Sequence, residues 1–334
     1  MSKVKISLDA MGGDNAPRVV VKGALMALDD PDVEIFLVGK VEQLEKELKE
    51  LTTDYDKSRL KLIDAKDIVE MAEKPTDALR KKESSLYIAA NLVKKGDADA
   101  LVSAGNTGAV LAIAMFVIGR IKGIERPAIA TPLPSTDGFT VLIDSGANAI
   151  VKPHHYLDFA KMGTFYAQLL GKANPTVGLL NIGEEEEKGT DDLREAHSLL
   201  KNTLKDQFFG NVQGRDINNG VVDVVVTDGF TGNVVLKSLE GAAKFITTVI
   251  KKGVYKNGIF AKLGALMMKK VFDELRNKLD YRNYGGAFLL GVNGVTVIAH
   301  GSSDELAIKN AVNVAVKGVR MKIVDKIKES VENS

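Results

Sequence analysis

The strongest constraint on the fold is an alternation between short apolar runs and longer segments with helical spacing. Runs such as VKISLDAMGG (4–13), VEIFLVGK (33–40) and FTVLIDSGAN (139–148) begin apolar and end in small or polar residues. Segments such as VEQLEKELKEL carry apolar residues every three or four positions. Buried strands that alternate with amphipathic helices are typical of a largely parallel sheet covered by helices on both faces. The sequence therefore predicts an α/β fold.

Nothing in the composition divides the chain into separate domains. The 334 residues contain no linker rich in proline or serine, no low-complexity segment and no repeat of fixed period. We therefore predict one α/β domain over residues 1–334, with a helical excursion from it over about 240–283. A second lobe, separated from the first by a cleft, is the alternative.

Charge and cysteine content exclude several classes of function. The 45 lysine and arginine residues nearly balance the 44 aspartate and glutamate residues, so no overall field draws the protein to nucleic acid. The chain has no cysteine, which rules out disulfides, thiolate metal sites and thiol nucleophiles. It shows no apolar signal region and no apolar stretch of about 18 residues. We expect a cytoplasmic protein that contacts a membrane only from one side.

The carboxyl ends of the predicted strands carry most of the candidates for a functional site. In α/β sheets, ligands bind outside these ends, where the strand order reverses. We expect the loops there to lie along one edge and to form a shared cleft. The polar side chains at these ends are Asp9, Asp144, Asp228, His300, Asn106, Asn148, Asn181 and Asn233.

Several motifs with known chemistry are absent from the sequence. Neither nucleotide fingerprint, G-x-x-x-x-G-K-[ST] or G-x-G-x-x-G after a strand, occurs, and the nucleophile elbow G-x-S-x-G does not occur. The four histidines lack the spacing of a metal site, and we interpret His154 and His155 as structural or exposed. We therefore predict neither a metal nor a cofactor.

Glycine-rich loops that lead into helices are candidates for binding phosphate. The loops DAMGGDNAP (9–17), SAGNTGA (103–109) and TDGFTGN (227–233) combine bare backbone with a helix start, where free N–H groups and the helix dipole favour an anion. Alternatively, the first is only a tight turn, and the threonines of the others are only N-caps. We predict phosphate binding by Gly12, Gly13, Asp14, Asn15, Gly105, Thr107, Gly108, Thr231 and Gly232.

An acidic run, GEEEEKGT (183–190), follows another predicted strand. Four consecutive glutamates are typical of a solvated helix start. Lys188 stands beside a glycine in this loop, where it can supply a positive charge to phosphate.

Seven motifs in one order resemble a known family. DAMGGDNAP, SAGNTGA, DSGAN, NIGEEEEKGT, TDGFTGN, YGGAFLLGVNG and AHGSSD resemble the bacterial phosphate acyltransferases of phospholipid synthesis over nearly the whole chain. The resemblance implies transfer of a long-chain acyl group from acyl carrier protein to inorganic phosphate. The product is an acyl phosphate, used to acylate glycerol 3-phosphate. It also implies a homodimer and a Rossmann-like sheet, related to phosphotransacetylases and isopropylmalate-type dehydrogenases, with a projecting helical hairpin.

This reaction needs positioning and electrostatics more than a protein nucleophile, because phosphate itself attacks the thioester. The enzyme must hold phosphate near the carbonyl and stabilise the developing oxyanion with fixed donors. The aspartates at the strand ends would orient loop N–H, amide and lysine groups, with one of them accepting a proton from phosphate. The predicted catalytic residues are Asn106, Asn148, Asn181, Lys188, Asp228 and Asn233.

A basic tract over residues 241–272 contains seven lysines and no acidic residue. Its apolar residues recur at three- and four-residue steps, which places them on one helix face with lysines at the flanks. Such a face could be buried in a dimer interface, lie on an anionic membrane or contact the acidic carrier protein. We predict membrane or carrier-protein contact by Ile259, Phe260, Lys262, Leu263, Leu266, Met267, Lys269 and Lys270.

The sequence leaves other functions open as alternatives. A phosphotransacylase that uses acyl-coenzyme A shares the chemistry, and a non-catalytic regulator that binds phosphate or an acyl group shares the sheet. A nicotinamide dehydrogenase of related fold is disfavoured, because the sequence has no acidic metal cluster and no cofactor fingerprint.

Overall fold

The computed structural model describes residues 3–52, 54–279 and 285–332. In that part of the chain eleven strands form one sheet. The strands are β1 Val4–Asp9, β2 Val33–Gly39, β3 Leu60–Asp64, β4 Ala100–Ser103, β5 Ala128–Ser135, β6 Gly138–Ile143, β7 Val177–Leu180, β8 Phe208–Val212, β9 Val224–Val226, β10 Ala287–Leu290 and β11 Val295–Ile298.

Helices connect and cover the strands. They are α1 Arg18–Ala27, α2 Val41–Leu51, α3 Pro75–Ala78, α4 Ser85–Lys95, α5 Thr107–Ile113, α6 Pro153–Leu169, α7 Asp191–Leu204, α8 Gly214–Asn219, α9 Gly229–Lys256, α10 Gly258–Met267, α11 Lys269–Leu279, α12 Glu305–Arg320 and α13 Ile323–Glu332. A π-helical turn, Ala114–Ile118, continues α5.

The sheet consists of two parallel halves that run in opposite directions. Its order is β3-β2-β1-β4-β11-β10-β5-β6-β9-β7-β8, and the strands β3 to β11 in this order are parallel to one another. β10 is antiparallel to β11 and to β5, and β5 is antiparallel to β6. β6, β9, β7 and β8 are again mutually parallel. The second half therefore points against the first.

The expectation that all strand-end loops share one edge is wrong for this reason. β5 joins the halves: Ala128–Ala130 pair with β10, whereas Ala130–Ser135 pair with β6. The halves are consequently offset along β5, so that their carboxyl ends approach each other near Ala130. The two sets of loops face each other across a cleft, where a single-direction sheet would have placed them side by side.

Helices cover both faces of the sheet, as predicted. Adjacent residues of a strand point to opposite faces, so Val102 joins the cluster under α1 and α12, whereas Leu101 joins the cluster under α4 and α5. Strands buried on both faces explain the near-continuous apolar runs in the sequence. The first cluster contains residues of both halves. The assignment of a single domain stays a prediction.

The predicted excursion over 240–283 comprises the C-terminal part of α9, α10 and α11, and residues 280–283 lie outside the described residues. α9 and α10 pack against each other across Asn257, which forms a helical hairpin. The large apolar side chains of α10 are half exposed or more in the described chain, with Phe260 85% exposed and Met267 89% exposed. Among the helices of the described residues, we find none with the length and hydropathy of a membrane-spanning segment.

Candidate active site

A cavity of about 730 Å³ lies in the cleft between the two halves of the sheet. This volume falls within the range of about 300 to 1,000 Å³ that is usual for small-molecule sites. Of the predicted site residues, the cavity is lined by Asp14, Gly105, Thr107 and Asn233. The other predicted residues lie outside the lining, and their contacts explain why.

The first glycine loop packs against the second loop. The carboxylate of Asp9, at the end of β1, accepts a hydrogen bond from Ser103 Oγ at 2.8 Å, and Ser103 Oγ accepts one from Gly105 N at 3.0 Å. A Cβ at Gly12 would lie 2.7 Å from Asp9 Oδ2 and 2.8 Å from Gly105 N. Bare backbone at Gly12 is therefore required by the neighbouring loop. Burial raises the pKa of Asp9, while hydrogen bonds from Ser85 and Ser103 lower it.

The residues after Gly12 reach the rim of the cavity. Gly13 has a φ of +109°, which side chains rarely adopt, and Asp14 N donates to Gly301 O at 2.8 Å. These contacts place Asp14 at the cavity wall. Asn15 is exposed and lies outside the lining.

Asn106 is committed to structural hydrogen bonds. It is the N-cap of α5, with Oδ1 accepting from Ala109 N at 3.1 Å. Its Nδ2 donates to the carbonyl oxygens of Met71 at 2.8 Å and Glu73 at 2.9 Å. Both amide hydrogens are used, so the structure gives Asn106 the role of fixing the 71–73 loop. A Cβ at Gly108 would lie 2.6 Å from Pro75 Cγ, so this glycine faces protein too.

The side chain of Asp144 organises the loop after β6 through hydrogen bonds. Its buried carboxylate accepts backbone hydrogen bonds from Ile129, Gly146, Ala147 and Asn148, and one from Asn148 Nδ2. Burial raises its pKa, and these donors oppose the rise. Asn148 Nδ2 also donates to the Pro127 carbonyl at 2.8 Å, so both of its amide hydrogens are used. Asn148 thus orients the loop, and the structure leaves it no N–H for an oxyanion.

The first turn of α9 packs against the same loop. A Cβ at Gly232 would lie 1.9 Å from Asp144 O, and one at Gly229 would lie 2.6 Å from Asn148 N. Asp228 caps α9, because its carboxylate accepts from Thr231 N at 2.8 Å and from Thr231 Oγ1 at 2.7 Å. The predicted anion site at Thr231 and Gly232 is therefore occupied by a capping carboxylate and by backbone. This result favours the N-cap alternative.

The loop after β7 lies outside the cavity lining. Asn181 closes that loop on itself: Nδ2 donates to Lys188 O at 3.1 Å, and Oδ1 accepts from Ile182 N at 2.8 Å. Lys188 is exposed. The assignment of Lys188 to phosphate stays a prediction.

Asn233 lines the cavity, and so do Lys237 and His300, which the sequence analysis did not connect with each other. Its Nδ2 lies 3.4 Å from Ser145 O, which uses one of the two amide N–H groups. Lys237 follows one helical turn later, with Nζ 2.8 Å from Glu240 Oε2 and 3.0 Å from His300 Nε2. Lys237 and His300 therefore join the two halves across the cleft. Residues four apart lie on the same face of a helix, so the prediction of Asn233 together with a helix at this position would have been sufficient to identify Lys237.

His300 is held as a neutral imidazole beside this ammonium group. Burial lowers the pKa of His300, and the charge of Lys237 lowers it further, while Glu240 and Asp14 act in the opposite direction. Nδ1 lies 2.8 Å from Ser302 Oγ. Ser302 N donates to Nδ1 at 3.2 Å, so a neutral His300 carries its proton on Nε2. Nε2 then only contacts Lys237 Nζ, and the hydrogen bond that holds the lysine at the cavity wall is the one to Glu240.

Ser303 adds a hydroxyl group with no protein partner. Its Oγ is buried and makes no hydrogen bond to any residue of the described chain, and Ser303 lines the cavity. It stands just before α12, whose cap residue Asp304 accepts from Ala307 N. A buried hydroxyl left unpaired at a cavity wall is available to a polar ligand.

Apolar side chains of β5 and α9 line a further part of the cavity, beside the polar residues Ser135, Asn218 and Glu240. Residues Thr131–Thr136 of β5 and its turn form one wall, with Pro132, Leu133 and Pro134 among them. One face of α9 forms the other wall, through Leu236, Leu239, Ala243 and Ile246. The cavity therefore suits a substrate that has both a polar reacting group and a hydrocarbon chain.

One group of candidate metal ligands occurs in the described ranges, away from the cavity: Glu125, His154 and His155. Lys152 N donates to His155 Nδ1 at 2.9 Å, so neutral His155 carries its proton on Nε2, 3.1 Å from Glu125 Oε2. Burial lowers the pKa of His155, which favours this neutral form. Because Nε2 is the atom that would ligate, the geometry fits a hydrogen-bonded cluster better than a metal centre. His155 is buried and His154 exposed.

A solved structure supports the fold. The chain resembles a phosphotransacetylase from Streptococcus pyogenes with a TM-score of 0.64, at 17% identity, over 95% of this chain and 94% of that one. At this identity the likeness shows the fold alone, and it confirms the predicted architecture.

Sequence relatives identify the family. Residues 4–326 match the family described as "Fatty acid synthesis protein". The chain is 50% identical over 328 residues to the phosphate acyltransferase of Thermotoga neapolitana, covering 98% of this chain and 97% of that protein. It is 52% identical over 332 residues to the phosphate acyltransferase of Thermosipho africanus, covering 98% of each. The chain therefore belongs to the fatty acid synthesis protein family, together with these phosphate acyltransferases.

Proposed function

We propose that this protein transfers a long-chain fatty acyl group from acyl carrier protein to inorganic phosphate, and so forms an acyl phosphate for phospholipid synthesis. Its relatives are named for an acyl transfer that involves phosphate. The observation that carries the proposal is one cavity that is lined both by Asn233, Lys237 and His300 and by apolar side chains of β5 and α9. A phosphate ion and a long-chain thioester need these two environments side by side.

The proposed step is a direct displacement. A phosphate oxygen attacks the thioester carbonyl carbon, the new carbon–oxygen bond forms and the carbon–sulfur bond breaks. The departing thiolate takes up the proton that phosphate gives off, and because a thiol has a pKa of about 8.5 it leaves readily. We assign Lys237 and the unused N–H of Asn233 to the negative charge that develops on oxygen. Glu240 positions Lys237 by accepting its hydrogen bond, and Ser303 donates to phosphate.

The choice of thioester donor rests on the family resemblance and on charge. The lysines of the tract 241–272 are the part of the surface best suited to an acidic carrier protein. Activity with acyl-coenzyme A would instead favour the phosphotransacylase alternative. We further propose a cytoplasmic homodimer that associates peripherally with the inner face of the cell membrane.

Release of free thiol from a long-chain acyl carrier protein, with and without phosphate, tests the proposal. We expect thiol release only with phosphate, and a product that hydroxylamine converts to a fatty hydroxamate. Acyl-coenzyme A at the same concentration serves as the comparison donor, and we expect slower turnover with it. Thiol release that is independent of phosphate would contradict the proposal. Binding of phosphate without any turnover would favour a regulator.

The membrane part of the proposal rests on α10. Its apolar side chains are exposed, and lysines flank them on α10 and α11, which is the composition of interfacial helices. We expect the protein to co-sediment with anionic vesicles at low salt and Leu263→Glu to weaken this binding. Ile150→Glu, which makes the same charge change at an exposed apolar residue elsewhere, is the control. Wild-type protein that stays in the supernatant would contradict membrane binding.

A further inference from the structure

The apolar half of the cavity is a groove with one blocked and one open end. Residues of β5 and α9 form its walls, and Asn233, Lys237 and His300 line the same cavity. Because Asn233 and Lys237 precede Leu239 and Ala243 on α9, we infer that the polar group closes the end of the groove at the start of this helix. Toward the other end, the side chains of α9 become small at Ala242 and Ala243. Ile246, at the edge of the lining, is 49% exposed, so the groove reaches the surface there.

The length of the groove follows from the helix that lines it. Lys237 and Ile246 are nine residues apart, which corresponds to about 14 Å at about 1.5 Å per residue. An extended hydrocarbon chain with carbon–carbon bonds of about 1.5 Å advances about 1.3 Å per carbon, so about eleven carbons fit between these positions. Ala243 lies six residues from Lys237, about 9 Å or about seven carbons along the groove.

We propose that the acyl chain of the substrate lies between β5 and α9, and that about its first eleven carbons are bound before the chain emerges past Ile246. This inference rests on the proposed function for the identity of the occupant. The small side chain of Ala243 leaves the passage open. The protein therefore selects for a minimum chain length and sets no sharp upper limit.

The occupant is assigned from the shape and chemistry of the groove. Leu236, Leu239 and the residues Pro132–Pro134 offer carbon to the groove. Two polar residues of the same lining are committed to protein partners: Asn218 Nδ2 donates to Pro134 O, and Glu240 accepts from Lys237. The groove is continuous with the polar end, so a chain attached to a reacting carbonyl there would enter it directly. A hydrocarbon chain gains contact with each added methylene until it leaves the groove.

Binding of unreactive alkyl thioethers of pantetheine tests this inference independently of turnover. The series has chains of eight, ten, twelve, fourteen and sixteen carbons, and affinity is measured by titration calorimetry. For the wild type, we expect affinity to rise up to the ten- or twelve-carbon ligand and then to stay level. The rise would be up to about fourfold per methylene, which is about 0.8 kcal/mol.

Ala243→Phe should block the groove at about seven carbons. We expect the twelve-carbon ligand to bind at least tenfold more weakly to this variant, while the eight-carbon ligand stays within threefold of the wild type. Ala243→Leu should give an intermediate loss. Ser238→Phe adds the same bulk on a face of α9 that lies outside the cavity lining, and we expect no change.

The outcomes separate the groove from the proposed function. Affinity that is independent of chain length, or a cutoff that Ala243→Phe does not shift, would overturn the inference. Affinity that falls sharply between fourteen and sixteen carbons would contradict the proposal that the groove is open past Ile246. Length-dependent binding that shifts as expected supports the groove, and if the same protein released no thiol with phosphate, only the proposed function would fail.

Discussion

Replacement of Lys237 by methionine removes the ammonium group from the polar end of the cavity and keeps a side chain of similar length. In the folded protein Lys237 Nζ lies 2.8 Å from Glu240 Oε2 and 3.0 Å from His300 Nε2. If this charge stabilises the oxyanion, its loss should slow the transfer of the acyl group. It also leaves the carboxylate of Glu240 without its lysine near an anionic substrate, which acts in the same direction.

The size of the effect follows from the contact. A hydrogen bond to a charged group contributes about 1.5 to 3 kcal/mol, and about 1.4 kcal/mol corresponds to tenfold in rate. The side chain of Lys237 is 48% exposed, so solvent screens part of its charge and the lower half of this range applies. We expect kcat/KM for phosphate to fall about 10- to 40-fold.

The assay is thiol release from acyl carrier protein at several phosphate concentrations. Lys237→Arg, which keeps the charge, should retain more activity than Lys237→Met. Lys46→Met, at an exposed lysine of α2 outside the cavity lining, controls for the loss of a lysine as such. Turnover of Lys237→Met within threefold of the wild type at every phosphate concentration would refute the role assigned to this residue.

Three further predictions concern the cavity and the stability of the fold. Ser303→Ala should raise KM for phosphate about 2- to 13-fold, which is the equivalent of one hydrogen bond of about 0.5 to 1.5 kcal/mol. KM for the acyl donor should stay unchanged. An effect on KM for the acyl donor alone would contradict this prediction. Gly232→Ala places a methyl group 1.9 Å from Asp144 O, so we expect overpacking of about 1 to 3 kcal/mol and a Tm lower by several degrees; an unchanged Tm in a thermal melt would show that α9 does not rest on this carbonyl. Burial lowers the pKa of His197, so the unfolded chain takes up a proton below about pH 6.5 that the folded protein does not, and the free energy of unfolding should fall as the pH falls through that value. Urea titrations should show a shallower fall for His197→Gln, and an equal fall in both proteins would refute the assignment.

The sequence was sufficient for the fold class but not for the topology. Apolar runs such as VEIFLVG predict buried parallel strands because both of their faces need apolar side chains. They carry no information about direction, and the reversal at β10 and β5 depends on pairings between distant segments, such as Phe288 with Ala130. The cleft with two opposed rims could not be predicted for that reason.

The glycine loops show a similar limit. Some of the small and polar residues at strand ends, such as Gly105 and Thr107, line the cavity. The sequence cannot tell whether the space beside a glycine holds a ligand or another part of the chain. At Gly12 and Gly232 that space holds Gly105 and Asp144. Replacing Gly13, which has a positive φ and faces Gly301 O, would accordingly test the fold before it tested phosphate binding.

Lys237 and Ser303 were missed for different reasons. Lys237 lies inside a helix, outside any loop motif, and becomes significant only through its position one turn after Asn233. Ser303 stands in the motif AHGSSD, but its importance lies in an unpaired hydroxyl, which only the three-dimensional structure reveals. The family resemblance supplied the reaction, and the structure supplied the residues that we now assign to it.

We propose that phosphate and the acyl chain meet in the cleft between the two halves of the sheet. A crystal structure of the protein with phosphate and an unreactive long-chain thioether of pantetheine tests it most directly. We predict phosphate within hydrogen-bond distance of Lys237 and Ser303, the sulfur atom beside it, and the alkyl chain between β5 and α9. Phosphate bound at Lys188 and the loop 183–190, with the alkyl chain outside the β5–α9 groove, would contradict the claim.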